Sequence, residues 1–172
     1  MIQLNNFKKF DPLNDSPLDI PDSEGNYIIV LKPNKKLPEL GITFTCKTID
    51  NKKIIYTGIS NKSLRCRDYK QHFNGNAGNS TLRKSIGSLF GWKKIPRDKI
   101  NNGKTKFNKE DEDRLSKWMK QNLDLYFLAN PTPKEKEVEL INQLNPPLNL
   151  SKNKNNENAE FRVELSRLRK IK

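Results

Sequence analysis

The amino-acid sequence predicts an α/β fold of the α+β type, and three features of the sequence support this prediction. Residues 27–31 and 54–56 are short apolar runs of the kind found in buried strands. Residues 42–46 alternate apolar and hydroxyl side chains with period two, which is typical of a half-buried antiparallel strand. Residues 82–89 place leucine and isoleucine at i, i+4 and i+7, which predicts a helix with an apolar stripe.

The composition favours one domain with a polyanionic partner. A chain of 172 residues is long enough to bury a hydrophobic core but would be crowded as two domains. Its 33 Lys and Arg residues exceed its 20 Asp and Glu residues, which gives a formal net charge of +13 and favours a polyanion, either nucleic acid or an anionic membrane. We expect no membrane partner, because no long apolar run and no broadly apolar amphipathic helix precedes the C-terminus.

Cysteine and histidine are scarce, which limits the possible metal sites. Cys46, Cys66 and His72 are the only residues of these types. They are too few for a Cys/His zinc site, and they argue against a disulfide scaffold. A catalytic metal would therefore have oxygen ligands, which indicates Mg²⁺ or Mn²⁺. We also expect a cytoplasmic protein, because the N-terminus has no apolar signal segment.

The chain divides into three parts by composition. Residues 1–24 hold three prolines among aspartates and asparagines, which predicts an irregular arm, and residues 25–150 form the central domain. Residues 151–172 combine an Asn/Lys-rich linker with a basic C-terminal helix, whose apolar residues recur at helical spacing. This helix would either dock on the domain or lie along a phosphate backbone.

A strand, a tight turn and a helix are predicted in succession around Tyr56. Residues 50–52 form the turn that leads into the strand, and Gly58 ends the strand in a second, tight turn. Asn61 or Ser63 then caps a polar helix.

Residues 92–109 form a predicted basic insertion. Lysine and arginine crowd the segment from Trp92 to Phe107, which contains a single acid, Asp98. Such a segment is either solvated surface or a region that contacts backbone phosphates. Neutralisation of these phosphates by lysine and arginine supplies most of the non-specific affinity for nucleic acid. The candidate nucleic-acid contacts of the whole chain are Arg65, Arg83, Lys93, Lys94 and Arg97.

Capping residues mark the starts of three further helices. Ser80 and Asn108 are placed to cap the helices that follow them, and residues 125–128 form a strand after the second of these helices. Thr132 is followed at once by a proline and three residues later by a glutamate, which predicts a capping box for the third helix.

Glu137 lies in the second turn of this third helix and heads its apolar face. Leu140, Ile141 and Leu144 follow it at i+3, i+4 and i+7, whereas Glu139 points elsewhere. A carboxylate at the edge of a buried face needs a partner or a metal, because an unpaired charge is costly to bury. The alternative to a metal is a salt bridge to one of the many lysines.

Short motifs occur in a fixed order: Gly-Asn-Tyr at 25–27, Tyr-Thr-Gly at 56–58, Leu-x-x-Arg at 64–67, Glu-x-x-Leu-Ile at 137–141 and Pro-x-x-Asn at 146–149. In this order they resemble the motifs of the GIY-YIG nuclease family. The resemblance covers about residues 25–150. Ser-Thr-Leu-Arg at 80–83 and Pro-Pro-Leu-Asn-Leu at 146–150 are similar to a little-characterised bacterial branch of that family.

The resemblance implies a small antiparallel β-sheet flanked by helices, and a divalent-metal-dependent endonuclease that hydrolyses phosphodiester bonds in DNA. The catalytic residues that it implies are Tyr27, Tyr56, Arg67, His72 and Glu137, and the structural ones are Gly58 and Asn149. Tyr27 would activate the attacking water, Tyr56 would help to position water or phosphate, and Arg67 would bind the scissile phosphate. Glu137 would ligate the metal, with water and phosphate completing its shell.

Two features of this assignment need explanation. A tyrosine with the ordinary pKa of about 10 can act as a base only if cations lower that pKa or another group takes its proton, and Arg67, His72 and the metal are the available agents.

The family usually places a histidine or tyrosine four residues after the arginine. His72 lies five residues after Arg67, about 140° round an α-helix, whereas Arg65 and Tyr69 keep the spacing of four and form an alternative pair.

The expected partner is DNA, with RNA as an alternative, and the expected oligomeric state is a monomer or a transient dimer. One rival interpretation is a nucleic-acid-binding module on the same scaffold that has lost its catalysis. Another is a basic module that binds acidic proteins.

Overall fold

Both strands and helices contribute to the structure, a computed structural model that describes residues 2–39, 41–99 and 103–171. The strands of these residues are β1 (Lys8–Phe10), β2 (Gly25–Leu31), β3 (Thr48–Ile49), β4 (Lys52–Ser60), β5 (Lys94–Pro96), β6 (Thr105–Phe107) and β7 (Leu123–Ala129). The helices are a π-helix (Arg65–Phe73), α1 (Thr81–Leu89), α2 (Lys109–Asn122), α3 (Pro133–Leu144) and α4 (Ala159–Lys170). Short 3₁₀ turns lie at Leu4–Asn6 and Pro17–Asp19.

One antiparallel sheet with strand order β1-β7-β2-β4-β3 organises the chain, and β5 and β6 pair as a separate hairpin. The central strand β2 is buried along its whole length and pairs with β4 on one side and β7 on the other. Its side chains alternate between two cores: Tyr27 and Ile29 face the π-helix, α1, α2 and α4, whereas Ile28 and Val30 face α3 and the N-terminus. The predicted α+β fold, with a small antiparallel sheet flanked by helices, is thus confirmed.

The N-terminal arm is partly ordered into the sheet, so the prediction of an irregular arm was wrong for Lys8–Phe10. These residues form β1 and pair with β7. Phe10 and Ile20 are fully buried in the main core. Burial of such apolar side chains, worth about 1.5–3 kcal/mol each, outweighs the tendency of nearby prolines towards irregular structure.

The strand predicted over residues 42–46 is absent. Its apolar side chains are half-buried as the alternation indicated, but its backbone does not join the sheet. The Thr45 N–H instead donates to Asn158 Oδ1 at 2.9 Å, and Asn158 Nδ2 donates to the Thr45 carbonyl at 3.0 Å. The predicted turn that follows is present, and Asp50 and Asn51 have φ values of 49° and 60°, which suit a two-residue hairpin between β3 and β4.

Of the caps predicted for α1, α2 and α3, two form. Ser80 Oγ accepts the Arg83 N–H at 3.1 Å, and Asn108 Oδ1 accepts the Asp111 N–H at 2.8 Å. Thr132 makes no side-chain cap, although α3 begins at the following proline as predicted. Its side chain and N–H both turn back to Asn130, so the predicted capping box was wrong.

The predicted basic insertion contains the β5–β6 hairpin, and its residues 100–102 lie outside the described residues. The C-terminal helix α4 docks on α1, and its Phe161 and Leu165 are buried in the main core. None of the described helices is long and apolar enough to cross a membrane.

Candidate active site

Three aromatic rings from three segments of the chain meet on one face of the sheet. The ring centroids of Tyr27 on β2 and Tyr56 on β4 are 6.2 Å apart. The imidazole of His72 on the π-helix lies 5.3 Å from the Tyr27 ring and 6.1 Å from the Tyr56 ring. The Tyr56 hydroxyl lies 3.1 Å from Thr81 Oγ1, at the start of α1. Two strands, the π-helix and α1 therefore converge on this place.

Gly58 makes room for the Tyr27 side chain. The predicted turn at this glycine was wrong, because β4 continues to Ser60 and Gly58 pairs directly with Tyr27 across the sheet. A Cβ atom at Gly58 would overlap the Tyr27 hydroxyl oxygen. Only glycine therefore allows the phenol to lie flat against β4.

The π-helix explains the unusual spacing of Arg67 and His72. Its hydrogen bonds include one from the Asn74 N–H to the Tyr69 carbonyl, five residues earlier, at 3.1 Å. Residues five apart are therefore one turn apart, so the expected separation of about 140° between Arg67 and His72 was wrong. The alternative pair does not reach the site, since Tyr69 packs edge-on against Phe10 at 6.3 Å.

His72 links Tyr27 to the start of α1. The Nε2 atom lies 2.7 Å from the Tyr27 hydroxyl, and Nδ1 lies 2.7 Å from Ser80 Oγ. His72 is fully buried. Burial, followed by the nearby charges of Arg67 and Arg83, holds the pKa of the imidazole well below its usual value. The histidine is therefore neutral at pH 7, so one ring nitrogen donates a hydrogen bond and the other accepts one.

The Tyr27 phenol is protonated in the free protein. Burial raises its pKa well above the usual value, and the neighbouring Tyr56 raises it further. The Arg67 guanidinium acts in the opposite direction, and the Asp68 carboxylate raises the pKa again. Arg67 alone therefore does not turn Tyr27 into a tyrosinate.

Two hydrogen bonds hold the Arg67 guanidinium beside these phenols. Nη1 donates to Gln71 Oε1 at 2.8 Å and to the Asn79 carbonyl at 3.1 Å. Gln71 is the residue four positions after the arginine, where the family usually has histidine or tyrosine. It orients Arg67, while His72 contacts Tyr27.

Glu137 is half-buried and ion-paired. Its side chain is 13 % exposed, and its Oε2 accepts a hydrogen bond from Lys152 Nζ at 2.6 Å. The salt bridge to a lysine, which was the alternative to a metal, is therefore present, and it involves the same carboxylate that would ligate a metal. Within the described residues, no group of three or more His, Cys, Asp or Glu side chains could hold a metal. One carboxylate still fits Mg²⁺, which keeps several waters and takes substrate phosphate as a ligand.

Asn149 connects the Glu137 helix to the tyrosine strand. Helix α3 packs on the sheet face opposite Tyr27, and the chain then returns along the edge of β4. There Asn149 Oδ1 accepts the Thr57 N–H at 2.9 Å, and Nδ2 donates to the Thr57 carbonyl at 2.8 Å. These two bonds replace a missing neighbouring strand. Lys152 follows three residues later and contacts Glu137. A chain of contacts therefore connects Glu137, the candidate metal ligand, to Thr57, the residue after Tyr56.

Arg83 is a structural residue, and its prediction as a nucleic-acid contact was wrong. It is fully buried, and its Nε and Nη2 donate to Glu112 Oε2 at 3.0 and 2.7 Å. Nη1 donates to the His72 carbonyl and to Ser116 Oγ, and Nη2 also donates to the Glu112 carbonyl. Glu112 Oε1 accepts two backbone N–H groups, one before α1 and one in β6. All five N–H donors of Arg83 are therefore used inside the protein.

Two other predicted contacts are also engaged internally. Lys94 is buried and donates to the Leu168 carbonyl of α4 at 3.0 Å, so its assignment to nucleic acid was wrong. Arg65 is half-buried, and its Nε donates to the Ile20 carbonyl at 2.8 Å, which fastens the N-terminal arm. Lys93 is exposed, and Arg97, ion-paired with its neighbour Asp98, is half-exposed, so these two keep their assignment as predictions.

Sequence reasoning missed several residues that build the site. Asn26 was given no role of its own, but its Nδ2 donates to the Pro133 carbonyl at 2.8 Å and so fixes the start of α3. Ser80 was identified only as a cap, although it also contacts His72. Asp68 is fully buried, and its carboxylate has no hydrogen-bond partner among the described residues. The only available signal was that Asn26 and Asp68 directly adjoin Tyr27 and Arg67.

Comparison with known proteins agrees with this geometry. The family model described as "GIY-YIG catalytic domain" matches residues 25–171, which is most of the chain and includes α4. The chain has no significant match among the curated proteins or among the solved structures. The matched region contains both tyrosines, the arginine, the histidine and the glutamate described above. The order of its motifs, its antiparallel sheet and this match together show that the chain belongs to the GIY-YIG nuclease family.

Proposed function

We propose that this chain is a divalent-metal-dependent endonuclease that hydrolyses phosphodiester bonds in DNA. The convergence of Tyr27, Tyr56, His72 and Arg67 in a member of this family carries the proposal, and the net charge of +13 supports a polyanionic substrate. We further expect a monomer or transient dimer that acts in the cytoplasm. RNA is the alternative substrate.

Tyr27 and His72 form the proton path of this proposal. A buried, protonated tyrosine can accept a proton from water only if it passes its own proton on. In the tautomer with the imidazole proton on Nδ1, Tyr27 donates to Nε2 and Nδ1 donates to Ser80. Tyr27 then takes a proton from the attacking water while its own proton moves to Nε2. The water oxygen bonds to phosphorus as the bond to the leaving oxygen breaks. The leaving oxygen takes a proton from solvent water, and His72 returns its extra proton to solvent after the products leave.

Arg67 would hold the non-bridging oxygens of the scissile phosphate. A guanidinium can bind two of these oxygens at once, which fixes the phosphate as well as neutralising it. The bonds from Nη1 to Gln71 and Asn79 orient the group in advance, so little side-chain entropy is lost when phosphate binds. A divalent ion on Glu137 would add charge neutralisation at the phosphate. Lys152 would have to leave the carboxylate for this ion to bind.

Plasmid nicking by the purified protein at low salt tests the proposal. Nicking is expected with Mg²⁺ or Mn²⁺ and should be lost with a chelator and in Glu137→Ala, while DNA binding is retained. Glu139→Ala is the matched control, because Glu139 lies on the same helix and contacts Lys136 and Gln143 instead. This control should nick like the wild type.

Other outcomes would favour the rival interpretations. Tight DNA binding without cleavage under any metal would indicate a binding module that has lost its catalysis. Metal-dependent nicking that persists in Glu137→Ala would contradict the role of Glu137. A wild-type protein that neither binds nor cuts DNA would overturn the proposed function and leave an acidic protein as the partner to seek.

A further inference from the structure

Cations on α1 and at the end of α4 form a cluster that the proposed mechanism does not use. Helix α4 packs against α1, whose Thr81 Oγ1 lies 3.1 Å from the Tyr56 hydroxyl, and Arg169 is half-buried in the last turn of α4. Burial lowers the pKa of Arg169, and Tyr56 acts on that pKa in the opposite direction. Lys84 on α1 is also half-buried, and the charges of Arg169 and Arg97 act on it. Two helices and the loop after β5 therefore bring three cations together beside an active-site tyrosine.

Hydrogen bonds hold this cluster next to Arg67. Asn79 accepts a bond from Arg67 Nη1 on its carbonyl and one from Arg97 Nη1 on its Oδ1, both at 3.1 Å. The bond from Lys94 Nζ to the carbonyl of Leu168 fastens the hairpin to the residue before Arg169. We call the set formed by Arg67, Lys84, Arg97 and Arg169 the basic rim.

The basic rim is electrostatically unfavourable in the free protein. Lys84 and Arg169 make no hydrogen bond or ion pair with other described residues through their charged groups. The pKa of Lys84 is lowered by burial and then by the charges of Arg169 and Arg97, and burial also lowers the pKa of Arg169. Two acids lie nearby: Arg83 already occupies the carboxylate of Glu112, and Asp98 pairs with Arg97 at 2.6 Å. Half-buried like charges repel one another unless an anion lies between them.

We propose that Lys84 and Arg169 bind a backbone phosphate of the nucleic acid adjacent to the phosphate held by Arg67. Helix α4 would then complete the substrate site from the far end of the chain. This inference rests on the proposed function. It extends that function to a second phosphate subsite, which determines how the strand runs past Tyr56.

Arg167 provides a matched control on the same helix. It lies two residues before Arg169, on the exposed side of α4, and its guanidinium binds Glu164 at 2.6 and 2.8 Å. Replacing Arg167 or Arg169 with glutamine removes the same charge from the same turn of helix. Only the Arg169 variant removes it from the basic rim.

The test measures binding of a fluorescently labelled DNA duplex in the presence of chelator, over a range of salt concentrations. Arg169→Gln and Lys84→Gln should each weaken binding about 3- to 10-fold and reduce the slope of log K against log salt by about 0.9, the value for one phosphate. Arg167→Gln should keep the wild-type affinity and slope. Thermal unfolding of Arg169→Gln and Lys84→Gln should occur at or above the wild-type temperature, because each variant relieves repulsion.

The second phosphate subsite and the proposed endonuclease function can fail separately. Wild-type slopes in folded Arg169→Gln and Lys84→Gln would overturn the inference, while plasmid nicking by the wild type would leave the proposed function intact. An equal effect of Arg167→Gln would also overturn it, because the cause would then be net charge. If Arg169→Gln did not fold, the Lys84→Gln result would decide. A wild type that does not bind the duplex would refute the proposed function itself.

Discussion

Replacing Arg83 with methionine should destabilise the protein severely. The side chain is fully buried, and its Glu112 partner is only 9 % exposed. The variant loses both bonds to the carboxylate and leaves that charge buried. Removing one member of a buried ion pair costs about 3–5 kcal/mol. That is a large share of the roughly 5–15 kcal/mol by which a domain of this kind is stable.

Urea unfolding at neutral pH would measure this loss, with Arg114→Met as control. Arg114 is 62 % exposed on the facing helix α2, and surface pairs of this kind contribute about 0–1 kcal/mol. The double variant Arg83→Met/Glu112→Gln should recover part of the lost stability, because it no longer contains an unpaired buried charge and its amide oxygen still accepts the backbone N–H groups of Ala77 and Phe107.

A different result would refute this reasoning. If Arg83→Met unfolded within about 1 kcal/mol of the wild type and instead lost affinity for DNA, Arg83 would be a nucleic-acid contact after all. If the double variant were less stable than the single one by the full cost of a second deletion, the two side chains would not be coupled.

Four further predictions follow from the site. Tyr27→Phe should lower the single-turnover nicking rate by about 10²- to 10⁴-fold with DNA binding unchanged; an unchanged rate would exclude Tyr27 as the base. Lys152→Ala should lower the Mg²⁺ concentration needed for half-maximal nicking, because it removes the cation that competes for Glu137; an unchanged requirement would contradict this competition. Asp68→Asn should stabilise the protein at pH 7. Burial raises the pKa of the Asp68 carboxyl well above its usual value, so above about pH 4 the unfolded chain holds fewer protons than the folded one. The free energy of unfolding of the wild type therefore falls as the pH rises above about 4, and the asparagine variant avoids this loss. In urea unfolding the gain should vanish near pH 4, and a gain that persisted there would contradict this assignment. Asn149→Ala should cost about 1–3 kcal/mol in the same assay, because it leaves the backbone N–H and carbonyl at the edge of β4 without partners; a loss near zero would mean that water replaces both bonds.

The sequence by itself determined the elements whose signals are local. The apolar runs of β2 and β4, the apolar stripe of α1 and the caps at Ser80 and Asn108 all depend on residues within one or two turns of each other. The order of the motifs also sufficed to indicate the family, since order is a property of the chain rather than of its folding.

Only the tertiary structure decided which charged and polar groups are buried and with which partners. Tyr27 and His72 are 45 residues apart in sequence, Arg83 and Glu112 are 29 apart, and Thr45 and Asn158 are 113 apart. A lysine or arginine has the same local pattern whether it binds phosphate or a buried carboxylate. Distant segments determine both desolvation and partner, so Arg83 and Lys94 belong to the interior, whereas Arg169 is only half-buried at the end of α4.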